Sequence, residues 1–221
     1  MSKRIIIAGG GTGGHIFPAI AIANALKKID TGIEILFVGA KGKMEMEKVP
    51  QAGYNIKGLD IAGFNRSSLI KNISLPFKLV KSFLQVRTIV KSFRPDAIIG
   101  VGGYSSFPVL RFGQAKGIPT FIHESNSFAG KSNILLGKKA TRIFVASDAM
   151  EKFFPREKIL ITGNPVRSTA NCQTQRCRLD YDSGGDHRDV YTAGWRTRQC
   201  ASQQFAWFLS RIARHQAGDE Y

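Results

Sequence analysis

The chain has 221 residues, 43% of them hydrophobic, and 32 Lys and Arg against 16 Asp and Glu, a formal charge of +16. Length and composition fit one α/β domain with a further segment attached, and no apolar run is long enough to cross a bilayer. The first apolar run, Ile5 to Ala8, is also too short for the core of a secretion signal, so the three cysteines are not expected to build a disulfide framework.

Ile5-Ile6-Ile7-Ala8 is β-branched and unbroken, the pattern of a strand buried on both faces. Five glycines interrupted only by Thr12 follow from Gly9 to Gly14. Then come His15 and an apolar helical pattern entered through Pro18, whose missing N–H costs nothing in a first helical turn. Strand, glycine turn and helix start present free N–H groups and a helix dipole to an anion. The chain is therefore expected to handle a phosphorylated substrate. Gly9, Gly11 and Gly14 satisfy G-x-G-x-x-G, but a dinucleotide site also needs an acid closing the second strand. That strand, Ile33 to Val38, runs into Gly39-Ala40-Lys41, and Glu34 comes too early. His15-Ile16 stands where a nucleoside triphosphatase loop carries Lys then Ser or Thr. Tight strand–helix packing alone would call for one or two glycines rather than five.

The alternation continues. The first helix runs through Ile20 to Leu26 and ends before Thr31-Gly32, and Ile56 to Ile61 can form a short strand after Gly53. A helical pattern from Leu75 to Phe93, broken at Pro76, places Leu79, Val80, Phe83, Val86, Val90 and Phe93 along one side. Arg94-Pro95-Asp96 turns into a buried strand, Ala97-Ile98-Ile99. A second glycine turn, Gly100 to Ser106, then opens a helix near Pro108. The strand Thr120-Phe121-Ile122 carries His123-Glu124-Ser125-Asn126 at its end, and a helix from Lys131 and a strand from Arg142 to Ala146 close the series. Alternating strands and helices predict an α/β fold, a doubly wound parallel sheet that is Rossmann-like. Ligands of such sheets sit at the carboxyl ends of the strands. Both glycine turns and the His-Glu-Ser-Asn segment are thus expected to line one crevice.

Positive charge is concentrated between Asp60 and Asp96, where Arg66, Lys71, Lys78, Lys81, Arg87, Lys91 and Arg94 meet no acidic residue. With Leu69, Ile70, Ile73, Leu75, Phe77 and Leu79 interleaved, this surface suits an anionic membrane. A solvated basic helix face is the plainer reading. Nucleic acid is not expected as a partner, since no base-reading motif is visible.

The last quarter differs chemically. No lysine follows Lys158, and Ile212 is the only isoleucine after Ile161. All three cysteines, Cys172, Cys177 and Cys200, and both tryptophans, Trp195 and Trp207, lie there. The cysteines and His187 lack the paired spacing of a zinc module. The domain is expected to span 1–167. Residues 168–221 read as an aberrant tail, unstructured or translated out of frame after about Arg167.

Gly9-Gly10-Gly11-Thr12-Gly13-Gly14-His15-Ile16-Phe17-Pro18, Gly102-Gly103-Tyr104, His123-Glu124-Ser125-Asn126 and Gly163-Asn164-Pro165-Val166-Arg167 resemble the motifs of the peptidoglycan N-acetylglucosaminyltransferases, in the same order. The resemblance spans Ile5 to Arg167. It implies the N-terminal, acceptor-binding half of a two-domain GT-B glycosyltransferase. It also implies the activity, in which UDP-N-acetylglucosamine is the donor and lipid I the acceptor that becomes lipid II, with inversion. Such enzymes sit peripherally on the cytoplasmic face of the bacterial inner membrane. Thr12, Gly13, Gly14, Asn126 and Arg167 match positions on the donor side of the cleft. The family's Gly-Gly-Ser-x-Gly-Ala-Arg loop is missing, although codons for Gly194-Trp195-Arg196-Thr197 shifted by one base could spell part of it. A chain without the donor half is not expected to catalyse transfer by itself.

The attacking hydroxyl needs a base. His15 is the leading candidate, because imidazole titrates near working pH and a helix N-terminus favours its neutral form. Its alternative role is to shape the glycine loop. Glu124 is the second candidate base, with loop anchoring as its alternative. Gly102, Gly103 and Tyr104 join the first loop as substrate-binding positions, their N–H groups holding the acceptor diphosphate. No acidic pair marks a metal site, and no cofactor is expected. A non-catalytic phosphate- or dinucleotide-binding Rossmann module is the alternative function.

Overall fold

The structure, a computed structural model, describes residues 3–63 and 75–165. Its elements alternate: β1 (Arg4–Ala8), α1 (Gly13–Ile29), β2 (Glu34–Ala40), α2 (Glu45–Gln51), β3 (Asn55–Leu59), α3 (Leu75–Phe93), β4 (Ala97–Gly100), α4 (Ser106–Ala115), β5 (Thr120–Glu124), α5 (Lys131–Gly137), β6 (Arg142–Val145) and β7 (Ile159–Ile161). The strands form one sheet in the order β3-β2-β1-β4-β5-β6-β7, and every neighbouring pair is parallel. Successive side chains of β1 serve opposite faces, as the period of two requires. Ile5 and Ile7 pack with Ile16, Ile20 and Leu26 of α1 and Val49 of α2. Ile6 and Ala8 pack with Val86 and Val90 of α3, Leu110 of α4 and Leu136 of α5. Each fully buried Ile or Leu contributes roughly 1.5–3 kcal/mol, so the doubly wound arrangement follows from strands that are apolar on both faces.

The strand order reverses direction between β1 and β4, which pair directly with Ala8 opposite Gly100. Adjacent strands whose connections leave in opposite directions open a crevice at their carboxyl ends. The two glycine turns follow these two strands, as the sequence predicts.

Several details differ from the sequence reading. α1 begins at Gly13, so Pro18 lies inside the helix and not in its first turn. α2 and β7 are too short to show a period of their own and are unheralded. In α3 the buried line is Ser82, Val86 and Val90, while Leu79 is 36% and Val80 62% exposed. Val80 sits two residues off that line, roughly 200° round the helix, so tertiary packing leaves it outside. Phe77 and Leu84 are exposed as well. No helix among the described residues is long and apolar enough to cross a membrane. Residues 64–74, which carry part of the expected basic face, lie outside the described residues, as do Arg167 and the segment 168–221.

Candidate functional site

The two glycine turns interlock. Gly10 N–H donates to the Gly102 carbonyl at 3.3 Å, and Val101 N–H donates to Ala8 at 2.9 Å. Gly9 N–H is taken by Val38 at 3.1 Å and Gly11 N–H by Glu45 Oε2 at 3.0 Å. The next three N–H groups, of Thr12, Gly13 and Gly14, meet no protein acceptor among the described residues. They open a 17-residue helix, where amides and dipole together favour an anion.

His15 is half-buried beside them. Its Nδ1 lies 3.3 Å from the Gly10 carbonyl and 3.2 Å from Thr12 Oγ1. A carbonyl oxygen only accepts, so that contact assigns the proton of the neutral ring to Nδ1 and leaves the lone pair on Nε2. The ring packs over Gly102, where a Cβ would approach Nε2 to 2.7 Å. Nε2 thus faces the second glycine turn, beside the open amides of the first.

The third segment arrives on β5. Ser125 Oγ donates to the Gly14 carbonyl at 3.4 Å. That carbonyl lacks its helical donor because the residue four positions on is Pro18, which has no N–H. Glu124, 3% exposed, accepts from Asn126 N and Nδ2 on Oε1 (3.1 and 2.9 Å) and from Gly130 N and Asn133 Nδ2 on Oε2 (3.3 and 2.9 Å). Four donors on one carboxylate are what loop anchoring calls for, and they fix Asn126 at the crevice edge. His123 is fully buried, and its Nε2 lies 3.4 Å from the Gly163 carbonyl. Burial pushes its imidazole down to about 4, against the opposing pull of the Gly163 carbonyl and the Glu124 charge. This histidine is neutral at working pH and ties the Gly-Asn-Pro segment to the sheet.

Tyr104 closes one wall, its ring 3.0 Å from where a Cβ on Gly63 would stand and 3.7 Å from one on Gly11. Burial, and then the Glu45 charge, raise its phenol above the ordinary value. At the end of β3, Asp60 accepts from Lys41 at 2.8 Å and Lys81 at 2.9 Å, and hydrogen bonds to these two ammonium groups hold its carboxyl well below the usual carboxylate range. Lys81 of the basic helix is therefore directed at Asp60. Among the described residues no group of three or more His, Cys, Asp or Glu could hold a metal ion.

The structure brings together Thr12, Gly13, Gly14, His15, Gly102, Gly103, Tyr104, Glu124 and Asn126, and Arg167 is the one expected site residue outside the described residues. Sequence reasoning missed Glu45 and the link through Ser125. The available signal for Glu45 was a lone Glu-Met-Glu stretch just after Gly39-Ala40, amid Lys41, Lys43 and Lys48. In a dinucleotide site the second glycine of the fingerprint lets the backbone approach a pyrophosphate. Here that glycine is Gly11, and Glu45 occupies its N–H. The dinucleotide-binding alternative loses its main contact.

Residues 5–145 match the family described as "Glycosyltransferase family 28 N-terminal domain". The chain is 62% identical over 164 residues to the UDP-N-acetylglucosamine--N-acetylmuramyl-(pentapeptide) pyrophosphoryl-undecaprenol N-acetylglucosamine transferase of Phocaeicola vulgatus, covering 74% of this chain and 44% of that one. It is 56% identical to the enzyme of the same name from Cytophaga hutchinsonii, again over 74% of this chain and 44% of the relative. The chain thus spans less than half the length of these curated relatives. Among solved structures, that of Acinetobacter baumannii MurG superposes with a TM-score of 0.63 at 28% identity, covering 75% of this chain and 46% of that one. The glycosyltransferase of kitacinnamycin, 11% identical with a TM-score of 0.59 over 80% of this chain and 55% of its own, shares the fold. The architecture is the N-terminal half of a GT-B glycosyltransferase.

Proposed function

Because the chain belongs to the glycosyltransferase family 28 N-terminal domain family, we propose that it forms the acceptor-binding half of an inverting N-acetylglucosaminyltransferase. The donor is UDP-N-acetylglucosamine and the acceptor undecaprenyl-diphospho-N-acetylmuramoyl-pentapeptide, lipid I, which becomes lipid II. The observation that carries this reading is the placement of His15 Nε2 on the second glycine turn, at the β1–β4 crevice where three N–H groups of the first turn meet no protein acceptor among the described residues.

In this reading the N–H groups of the two glycine turns, with Gly102, Gly103 and Tyr104, receive the acceptor's diphosphate and first sugar, and Thr12, Gly13 and Gly14 also border the donor side of the cleft. An acceptor hydroxyl oxygen attacks the anomeric carbon and His15 Nε2 takes the hydroxyl proton. The anomeric C–O bond breaks with its electron pair leaving on UDP. Glu124 anchors the loop that presents Asn126 to the donor, and Arg167 serves the same side. Residues 1–167 constitute this half, and 168–221 do not continue into the donor half, a reading supported by the change of composition after Arg167. Residues 1–167 by themselves then bind acceptor without turning over. Phe77, Val80 and Leu84, exposed on α3 beside Lys78, support a peripheral seat on an anionic membrane at the cytoplasmic face.

The test joins residues 1–165 to the donor half of the Phocaeicola vulgatus relative and follows labelled N-acetylglucosamine into lipid II. Transfer is expected, with a loss of roughly 10²–10⁴-fold in turnover for His15→Ala, the usual worth of a general base. A chimera that binds acceptor but whose His15→Ala form turns over normally would remove His15 from the chemistry.

A further inference from the structure

Glu45 is fully buried and holds the Gly11 N–H, yet it takes no part in the transfer as described so far. A buried carboxylate must be hydrogen-bonded or it costs several kcal/mol. This one accepts from Ala40 N–H on Oε1 and from Gly11 N–H on Oε2, each at 3.0 Å. It sits where Gly10 and Gly39 have no side chains: a Cβ on Gly39 would come within 2.5 Å of Glu45 Cγ, and one on Gly10 would meet the carboxyl group itself. The cradle admits a carboxylate between β2 and the first glycine turn.

The N–H that Glu45 holds and the carbonyl that His15 meets belong to one peptide group, the Gly10–Gly11 unit. In a trans peptide the N–H and C=O point in opposite directions from a rigid plane. A carboxylate that fixes the N–H on one side therefore aims the carbonyl on the other. Hydrogen bonds in such a chain also polarise one another, so the carbonyl becomes a better acceptor. We propose that Glu45 is a positioning residue that acts on His15 through the Gly10–Gly11 peptide, holding the imidazole proton on Nδ1 and the lone pair on Nε2. It does at one peptide's remove what a carboxylate does directly beside the histidine of a hydrolase triad. His123, on β5, is one titratable group close enough to His15 to interact with it electrostatically, and Glu124 follows it on the same strand. His123 is neutral through burial, and the Glu124 carboxylate is occupied by Asn126, Gly130 and Asn133. Thr12 Oγ1, the second contact of Nδ1, can donate as well as accept and so does not choose the tautomer.

The inference rests on the reading of His15 as the base, and its test needs no turnover. Nitrogen chemical shifts of the imidazoles in the 221-residue chain, taken at a pH where they are neutral, report the tautomer of each. His15 is expected as the Nδ1–H form. In Glu45→Gln the side chain offers one oxygen where two N–H groups need acceptors. The ratio of Nδ1–H to Nε2–H at His15 should then fall about 2- to 12-fold, the worth of one ordinary hydrogen bond. The buried His123 should not change and serves as the internal control. If His15 is not Nδ1–H in the unaltered chain, the assignment of Nε2 as the basic nitrogen fails first. If His15 is Nδ1–H in the unaltered chain and the ratio is unchanged in Glu45→Gln, the Glu45 proposal is overturned while that assignment stands. Should Glu45→Gln fail to fold, amide exchange in the unaltered chain decides. The Gly11 N–H is expected to exchange about tenfold or more slowly than that of Gly13, as a bond to a charged group implies. Equal rates would overturn the proposal.

Discussion

Gly103→Ala tests whether the two glycine turns hold each other. Gly103 has φ +85°, and a Cβ there would collide with the carbonyl group of Gly10, which is backbone and cannot swing aside. Two costs add: roughly 1–2 kcal/mol for an L side chain at positive φ, and about 1–3 kcal/mol for forcing an atom into a packed contact. Gly117 separates them, because it has φ +71° with nothing within 4 Å of a Cβ. Gly117→Ala should therefore cost only the first amount. Urea unfolding of both variants is expected to lower the midpoint for each, with Gly103→Ala about 1–3 kcal/mol worse at unchanged slope. The same variant should lose acceptor binding, since separating the turns displaces Gly102 from His15. Equal destabilisation of the two variants would refute the interlocked-turn reasoning, because only one of them has a backbone in the way.

Three further outcomes are expected. His123 titrates at about 4 in the folded chain against about 6.5 when unfolded, so the unfolded state binds its proton first. Its contribution is complete above about pH 6.5 and is lost as pH falls from there toward 4. About 2 kcal/mol should disappear between pH 7.5 and pH 5, a slope that urea titrations should find flattened in His123→Asn. In the chimera, His15→Ala should lower kcat with acceptor KM little changed if the residue is the base; a KM effect recovered by saturating acceptor would instead assign it to shaping the loop. Vesicle sedimentation should show stronger binding to anionic than to neutral lipid, declining with salt, and weaker binding for Phe77→Ser with Val80→Ser. Equal binding to both lipids would remove the membrane reading.

The local pattern of the chain is enough to predict a parallel α/β sheet with two phosphate-type turns on one edge, because apolar runs such as Ile5 to Ala8 and Ala97 to Ile99 are buried on both faces and each leads into glycine. Burial period and turn chemistry are properties of neighbours in sequence, and these carried the fold, the crevice and the place of His15. Other features depend on residues far apart in the chain. Glu45 reaches Gly11 across 34 positions, and Ser125 reaches the Gly14 carbonyl across 111. Glu124 is legible as an acid at a strand end, but its four donors are seen only once α5 and the 126–130 loop fold over it. The sequence pattern places Val80 on the apolar side of α3, and it is nevertheless exposed, because the line that packs inward runs through Ser82, Val86 and Val90, roughly 200° round the helix from it. Sequence determined which segments bury and turn; the packing of β2, β1, β4 and β5 side by side decided which carboxylate meets which amide, because that choice is made by strand order and not by spacing along the chain.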